Sequence, residues 1–246
     1  MYPQTHIYFA EWIIETKGDT VTLGSILPDI LSGGLFDHYE SHSKGEEIYS
    51  FLKKHNTLLD FGKALLTHGF VPKGLDYYGD EKYLDFEKGY CFEKAKPFIL
   101  ETVEACNIPL TMGWWKAHNI VEMGIELLVS SRDFYKERFE SAFANRVLIS
   151  ELNEMFHDLW KANDINFSHR VEKFAGLIEQ DKADAKSLAE KYRLQMFFKH
   201  KVEIDTKKVA LLIEKAAASV DHELDEFFST TGNLIKKNIT SFIQRA

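Results

Sequence analysis

The scarcity of residues that end helices constrains the fold of this chain more than any other feature. Only 14 glycines and 5 prolines occur among 246 residues, so turns are few and the elements between them are long. From residue 132 onward, apolar residues recur at helical spacing with few interruptions, which predicts long amphipathic helices. The chain is therefore predicted to be all-α. In this second half, helices are expected at residues 139–161, 168–180, 184–200, 206–228 and 232–244.

The first half has shorter elements and more breaks. Residues 21–30 can begin as a helical turn, but Pro28 disfavours continued helix at Leu27. Residues 31–45 are expected to be irregular, and residues 68–90 to form a loop that contains Gly, Pro and Tyr. The helices predicted in this half span residues 5–16, 46–54, 57–67, 92–105 and 113–129.

Charge and cysteine content exclude several classes of protein. The formal net charge is -8, from 38 acidic and 30 basic residues, which argues against a nucleic-acid-binding groove. A phosphate-bearing substrate stays possible, because bound metal ions would reverse the local sign of the charge.

The two cysteines do not make a disulfide framework. No apolar run is long enough to span a bilayer and the N-terminus lacks a basic signal region, so a cytoplasmic protein is expected.

His118 and Glu122 are four residues apart, which puts both side chains on one face of a helix, where they can meet a single metal ion. A His/Glu pair at this spacing is more often a surface pair. Here it follows Trp114 and Trp115 on a mostly apolar helix, which keeps the ligand interpretation equally open.

Other residues of ligand type lie in the same half of the chain. His6 lies in the first turn of the first helix. It is either a metal ligand or a histidine of the core or of the helix cap. Asp29 follows Pro28 in an apolar segment, where it is either a turn residue or a buried anion that needs a cation. The remaining candidates are His38 and His42 in a polar loop, His68 at a helix end before Gly69, and Asp76 and Asp80 in a tyrosine-rich loop.

Imidazole and carboxylate are ligands that zinc favours, and two zinc ions about 3.5–4 Å apart suit in-line hydrolysis of phosphate esters. The chain offers both ligand types in quantity. It has no Ser or Cys in a recognisable nucleophile setting, and no phosphate-binding loop of the Walker type. The pattern therefore favours a metal-dependent hydrolase.

These residues resemble the zinc-dependent phospholipase C family. Thr5-His6 is similar to that family's first-helix metal histidine in its Thr/Ser-His setting. Residues 24–29, Gly-Ser-Ile-Leu-Pro-Asp, are similar to the family's Gly-Ser-x-x-Pro-Asp segment, whose aspartate is a zinc ligand. By this resemblance, further metal ligands are implied at His42 (with His38 as competitor), at His68, and at the pair His118 and Glu122.

The resemblance covers residues 5 to 125, about half of the chain. It implies a multi-helix phospholipase C-like bundle that holds one to three zinc ions, or another divalent metal, and cleaves a phosphodiester. Residues 1–131 would form the metal-binding region, and residues 132–246 would be additional helices packed on it as one compact unit.

The chain departs from the family in two places. The family places an aspartate four residues after the histidine equivalent to His68, with another histidine soon after. Here Pro72 occupies the fourth position and the next histidine is His118, so Asp76 or Asp80 must stand in, as ligand or as general base. Secreted members also use an N-terminal tryptophan as a ligand, whereas this chain begins Met1-Tyr2.

Three functions follow from these observations. The first is hydrolysis of a small phosphate ester or phospholipid headgroup, with no nucleic-acid partner. The second is a metal-binding or scaffold protein of the same fold that has lost turnover. The third is a His-Asp phosphohydrolase, suggested by His157-Asp158 within a helix. The substrate, the number of ions and the oligomeric state are not indicated by the sequence.

Overall fold

The computed structural model describes residues 1–33, 36–161 and 165–245. In these ranges the extended structure is limited to one isolated bridge between Ser32 and Phe36, so the predicted all-α class is confirmed. The helices are α1 Pro3–Ile14, α2 Asp19–Ser25, α3 Leu27–Leu31, α4 His38–Ser43, α5 Gly45–His55, α6 Leu59–Leu66, α7 Tyr90–Ala95, α8 Ile99–Cys106, α9 Leu110–Ser130, α10 Lys136–Ala144, α11 Arg146–Trp160, α12 Phe167–Leu177, α13 Ala185–His200, α14 Thr206–Val220 and α15 Leu224–Arg245.

The helices are divided between two compact units, each built from segments that are separate in the sequence. Unit 1 consists of Met1–Thr5, Asp76–Tyr135 and Leu177–Thr230. Its helix α9 is buried along most of its length and packs against α7, α8 and α14. The backbone of α14 approaches so closely that a Cβ added at Gly124 would lie 2.7 Å from the Ala217 nitrogen. Polar side chains on α9 are therefore held in a buried environment.

Unit 2 consists of His6–Leu75, Lys136–Gly176 and Thr231–Ala246. Helix α2 packs against α6 and α10, α5 packs against α6, and α3 packs against α4. The packing of α2 on α6 requires glycine, because a Cβ added at Gly24 would lie 2.3 Å from the Phe61 carbonyl oxygen. The prediction that residues 1–131 form a metal-binding region and 132–246 an extension remains a prediction.

The prediction that residues 31–45 are irregular is wrong for residues 38–43, which form α4. Asp37 caps this helix: its Oδ1 accepts a hydrogen bond from the Glu40 backbone N–H at 2.8 Å. The Glu40 side chain in turn accepts one from the Asp37 N–H at 3.0 Å. This reciprocal capping box satisfies two backbone donors and allows a helix to begin in a polar segment.

Other predicted boundaries are also wrong, among them the helix expected at 92–105, which a 3₁₀ turn, Lys96–Phe98, divides into α7 and α8. The helix expected at 139–161 breaks at Asn145, whose side chain accepts a hydrogen bond from the Leu148 N–H at 3.0 Å and so begins α11. The helix expected at 206–228 ends at Val220; a 3₁₀ turn, Asp221–Glu223, then leads into α15. The loop expected at 68–90 contains a single π-helical turn, Tyr77–Glu81.

The break predicted at Leu27 occurs one residue earlier, at Ile26, and Leu27 is the first residue of α3. Helix α2 ends at Ser25, and Ile26 leaves helical geometry with φ −111°. Pro28 lies in the first turn of α3, where its missing N–H leaves no helical hydrogen bond unmade. Asp29 is consequently placed on a short helix rather than in a turn.

Within the residues that the structure describes, every helix is too short or too polar to cross a membrane.

Candidate metal centres

The first candidate centre lies in unit 2 and consists of Asp29, His42 and His68. Their ligand atoms all lie within 4.8 Å of one another, and His42 Nε2 is 3.5 Å from Asp29 Oδ1. His42 and His68 are buried, whereas the Asp29 side chain keeps 25% of its surface exposed. The three residues come from α3, from α4 and from the turn that follows α6. Residues distant in sequence therefore form one group of imidazole and carboxylate ligands.

Backbone carbonyls orient both imidazole rings of this group. His42 Nδ1 lies 2.8 Å from the His38 carbonyl oxygen, and His68 Nδ1 lies 2.5 Å from the Ser25 carbonyl oxygen. Since a carbonyl only accepts, each Nδ1 must be the N–H donor. In the neutral ring the lone pair then belongs to Nε2, which is the nitrogen that faces the group. Metal-ligating histidines are held in the same way.

Asp29 is ionised in this environment. Burial by itself would raise the pKa of its carboxyl, but when the imidazoles are protonated the hydrogen bond from His42 Nε2–H and the charges of His68, His42 and His6 outweigh burial. The pKa therefore lies well below its usual range. The carboxylate form is the one that binds a metal ion, and a bound ion would supply the same positive charge as the imidazoles.

Two glycines allow the backbone to pass close to these histidines. A Cβ added at Gly69 would lie 2.1 Å from the His42 carbonyl oxygen, and one at Gly74 would lie 2.6 Å from the His68 carbonyl carbon. The Phe70 N–H donates to the same His42 carbonyl at 2.7 Å. This close approach requires glycine at position 69 and ties α4 to the segment that follows His68.

His6 and His38 adjoin this group in different ways. His6, in α1, is buried, and its ring stacks on that of His68 with the centroids 3.5 Å apart and the planes 7° apart. His38 is exposed and contributes its backbone carbonyl to His42. Of the two competing candidates, His42 belongs to the ligand group and His38 orients it.

The second candidate centre lies in unit 1 and consists of Asp80, His118 and Glu122, all largely buried. Their ligand atoms also lie within 4.8 Å of one another. Asp80 comes from the π-helical turn, while His118 and Glu122 lie one turn apart on α9, with Nε2 to Oε2 at 3.9 Å. The predicted His-xxx-Glu pair is thus on one helix face, and that face is buried.

The His118 ring is held on two sides. Its Nδ1 donates to the Trp115 carbonyl oxygen, which again leaves the lone pair on Nε2 in the neutral ring. Phe92 stacks on the ring with the centroids 4.1 Å apart and the planes 11° apart. Burial, together with the positive charge of the Met1 ammonium, lowers the pKa of His118 although Glu122 opposes this. The neutral, ligating form is favoured.

The Met1 ammonium partners two carboxylates in unit 1. Its nitrogen lies 2.7 Å from Asp76 Oδ1 and 2.8 Å from Glu122 Oε1, and both side chains are buried. Burial would lower the pKa of the ammonium, but Asp76, Glu122 and Asp80 outweigh burial and raise it well above its usual range. In this geometry Asp76 pairs with a cation, and Asp80 completes the ligand group.

Glu126 is a buried carboxylate that the sequence analysis did not single out. It accepts hydrogen bonds from the Gln4 N–H at 2.8 Å, the Thr5 N–H at 2.8 Å and the Thr5 hydroxyl at 2.7 Å. These donors belong to the first turn of α1, where a carboxylate satisfies backbone groups that have no helical partner. Its position four residues after Glu122, within an apolar stretch, was the available signal.

His157 and Asp158 have other environments. His157 Nε2 lies 3.0 Å from the Ile165 carbonyl oxygen, so this nitrogen is a donor rather than a ligand in the structure. The Asp158 side chain is 76% exposed. Neither residue belongs to a group of three ligand-type side chains in the described part of the chain. Cys91 and Cys106 are buried free thiols.

Comparison of the chain with models of protein families, with characterised proteins and with solved structures finds no match. The buried groups of His and carboxylate residues have a geometry and a donor chemistry that suit a metal ion.

Proposed function

We propose that this protein is a zinc-dependent hydrolase of phosphate esters that cleaves phosphodiesters in the manner of a phospholipase C. The observation that carries the proposal is the Asp29, His42 and His68 group, in which both imidazoles present Nε2 and the carboxyl is ionised. Such preorganisation is characteristic of a ligand set and has no evident role in a surface pair.

The donor chemistry favours zinc over the hard cations. Magnesium and calcium take oxygen ligands, whereas zinc binds imidazole nitrogen and carboxylate oxygen together. Three protein ligands are the number found in catalytic zinc sites, which keep a further position for water or substrate. The group in unit 2 offers two nitrogens and one carboxylate, and the group in unit 1 offers one nitrogen and two carboxylates.

The residues take separate roles in this proposal. Asp29, His42 and His68 hold one ion, and Asp80, His118 and Glu122 hold another. Bound zinc supplies a water of lowered pKa and offsets charge on phosphate oxygens. Asp76 is a buried carboxylate beside the ligand residue Glu122, both partnered by the Met1 ammonium. In this proposal Asp76 accepts the proton of the attacking water as general base.

Zinc content and hydrolysis can be measured together on two matched variants. Asp29→Asn keeps the shape of the side chain and removes its negative charge. Asp60→Asn makes the same change on α6 of the same unit, where the carboxylate is 47% exposed and pairs with the surface residue Lys63 at 3.0 Å. Protein purified without chelator or histidine tag is tested for bound zinc and for cleavage of nitrophenyl phosphorylcholine.

The expected result is bound zinc and chelator-sensitive cleavage in the wild-type protein and in Asp60→Asn. We expect Asp29→Asn to lose zinc and at least about 100-fold of the rate, the scale on which loss of a metal-site interaction acts. Full zinc content and full rate in Asp29→Asn would refute the proposal.

A metal-binding protein without turnover is the second candidate function. The observation that favours it is the Met1 ammonium, which already provides Asp76 and Glu122 with a cation at 2.7 and 2.8 Å. In that case zinc would be bound by the unit 2 group alone. One equivalent of zinc, unaffected by Glu122→Gln and accompanied by no cleavage of phosphodiesters or phosphomonoesters, would select this function.

A further inference from the structure

Three aromatic side chains are exposed on one part of unit 1. Trp115, on α9, is 47% exposed, and Phe197 and Phe198, in the last turn of α13, are 40% and 59% exposed. The rings of Phe197 and Phe198 are 5.9 Å apart. The ring of Trp115 contacts the ring of His200, which lies in the same helical turn as Phe197 and Phe198, with the Trp115 and His200 centroids 5.6 Å apart. We refer to Trp115, Phe197 and Phe198 as the aromatic patch.

Two exposed lysines lie beside the aromatic patch. Lys199 and Lys201 are exposed, and Lys201 Nζ lies 5.4 Å from the centre of the Phe197 ring. Between residues 191 and 208, Arg193 pairs with Glu190 at 3.0 Å and Lys208 pairs with Glu104 at 2.6 Å. On a chain with 30 basic and 38 acidic residues, Lys199 and Lys201 are therefore the lysines that give the patch a positive edge.

Lys116 is a buried lysine that packs against the patch. Its Nζ lies 3.7 Å from the centre of the Trp115 ring and 2.9 Å from His200 Nε2. Burial, followed by the neighbouring charge of Lys199, lowers the pKa of Lys116 to about 8. Because Lys116 is buried, the positive charge exposed to a partner comes from Lys199 and Lys201.

The exposed rings of the aromatic patch on α13 are not part of the face that this helix buries in the core. Helix α13 buries Leu188, Ala189, Tyr192 and Met196, so its core face is already formed by other residues. Isolated exposed aromatic residues are common on proteins and need no explanation. Three of them beside two exposed lysines form the combination by which proteins bind at the surface of a membrane.

We propose that the aromatic patch, with Lys199 and Lys201, docks unit 1 on a membrane surface that contains anionic phospholipids. Trp and Phe side chains partition to the level of the headgroups, because each offers a large apolar area at the boundary with water. Lysines near that surface are attracted by the negative potential of the lipids. A nucleic acid fits less well, because it needs a longer track of cations and the chain carries a net charge of -8.

Vesicle binding tests the proposal without relying on hydrolysis. Full-length protein is sedimented with vesicles of phosphatidylcholine alone or of phosphatidylcholine with phosphatidylserine, in the presence of a chelator that stops metal-dependent cleavage. Lys199→Glu/Lys201→Glu reverses the charge of the patch, and Phe197→Ser/Phe198→Ser removes two of its rings. The charge control is Lys54→Glu/Lys173→Glu, which changes net charge equally at exposed lysines of unit 2.

The wild-type protein and the charge control are expected to bind vesicles that contain phosphatidylserine. Each patch variant is expected to bind them about tenfold or more weakly. The lysine variant loses the attraction of two cations to the anionic lipids, and the phenylalanine variant loses two rings that partition to the headgroup level. Circular dichroism and thermal melts confirm that the variants are folded. Equal binding by wild-type protein and both patch variants would overturn the proposal, as would wild-type binding to an acidic protein or nucleic acid but not to vesicles.

This result is separable from the proposed function. Loss of vesicle binding with unchanged cleavage of a soluble substrate supports the docking surface and leaves the hydrolase proposal intact. Vesicle binding in a protein that has no phosphodiesterase activity supports the docking surface and contradicts only the hydrolase proposal.

Discussion

The nitrogen that an imidazole ring presents to a metal is decided by the partner of its other nitrogen. In His42, His68 and His118 that partner is a backbone carbonyl, and in each case Nδ1 is the donor. The His68 partner is Ser25, 43 residues earlier in the chain. Residue type together with the family resemblance made these histidines candidates, but the carbonyl that orients each ring depends on packing, which no local sequence pattern contains.

Glu126 is expected to make stability depend on pH. Burial raises the pKa of this carboxyl from 4.5 to about 7, although hydrogen bonds from Thr5 and Gln4 oppose the shift. The folded state then holds the proton more tightly than the unfolded state. The free energy of unfolding must therefore fall as the pH rises from about 4.5 to about 7, by up to about 3 kcal/mol.

The substitution Glu126→Gln removes this dependence and keeps an oxygen acceptor for α1. Urea unfolding of chelated protein at about pH 5 and about pH 8 measures the difference. The variant is expected to gain stability relative to wild type at the higher pH only. Glu140→Gln, at an exposed site on α10, is the control and should follow the wild type at both values. A parallel pH profile for Glu126→Gln would contradict the prediction.

Gly69→Ala is expected to disturb the first metal centre. The new Cβ would lie 2.1 Å from the His42 carbonyl oxygen, so the backbone that carries this ligand must move. We expect a loss of about 1–3 kcal/mol in the free energy of unfolding, together with weaker zinc binding.

Gly176→Ala is the matched control for Gly69→Ala. An added Cβ at Gly176 has nothing within 4 Å, and the residue lies inside α12, so alanine should stabilise the protein by about 0.5–1 kcal/mol. Unfolding in urea and zinc titration give both quantities. Equal zinc affinity in Gly69→Ala and Gly176→Ala would show that the close approach does not position His42.

Short helices carry much of the first centre, and their ends are set by single side chains. Helix α4 has six residues, including His42, and depends on the Asp37 and Glu40 capping box. The sequence pattern for such a box was present, but it is normally recognised before an apolar run, and here a polar segment follows. The break at Asn145 was missed for the opposite reason, because apolar periodicity continues across it.

Removal of the cap on α4 is expected to weaken metal binding as well as stability. Asp37→Ala should cost about 1 kcal/mol, the usual effect of losing a capping side chain, and Asp37→Asn much less. Asp184→Ala removes the equivalent capping box from α13, which carries none of the proposed ligands. Both alanine variants should lose similar stability in urea, and only Asp37→Ala should lower zinc affinity. A similar decrease in both would make the effect on zinc a general consequence of lower stability.

Over the whole chain, the all-α class followed from few breakers and long periodic segments, and these are local properties. The ligand residues were predicted as a single series by resemblance, whereas the structure assigns Asp29, His42 and His68 to unit 2 and Asp80, His118 and Glu122 to unit 1. That assignment depends on which distant segments pack together. Spacing could have drawn attention to Glu126, but its hydrogen bonds to α1 and the ion pairs of the Met1 ammonium depend on tertiary packing.

Metal removal is expected to destabilise the folded protein. The ligands in each group come from elements that are separate in the sequence, so the unfolded chain has no preformed site and the free energy of zinc binding adds to the free energy of folding. Zinc at about a thousand times its dissociation constant would contribute about 4 kcal/mol. For a chain of this size each kcal/mol changes the melting temperature by about 2–4 °C, so loss of one such ion by chelation should lower it by about 8–16 °C.

Scanning calorimetry of the wild type and of Asp29→Asn/Glu122→Gln tests this prediction. Chelation should lower the wild-type melting temperature, and zinc, but not magnesium, should restore it because the ligand groups contain imidazole nitrogen. The double variant has lost a carboxylate from each group, so its melting temperature should be insensitive to both treatments. An unchanged wild-type melt after verified metal removal would show that neither group is a metal site that stabilises the fold.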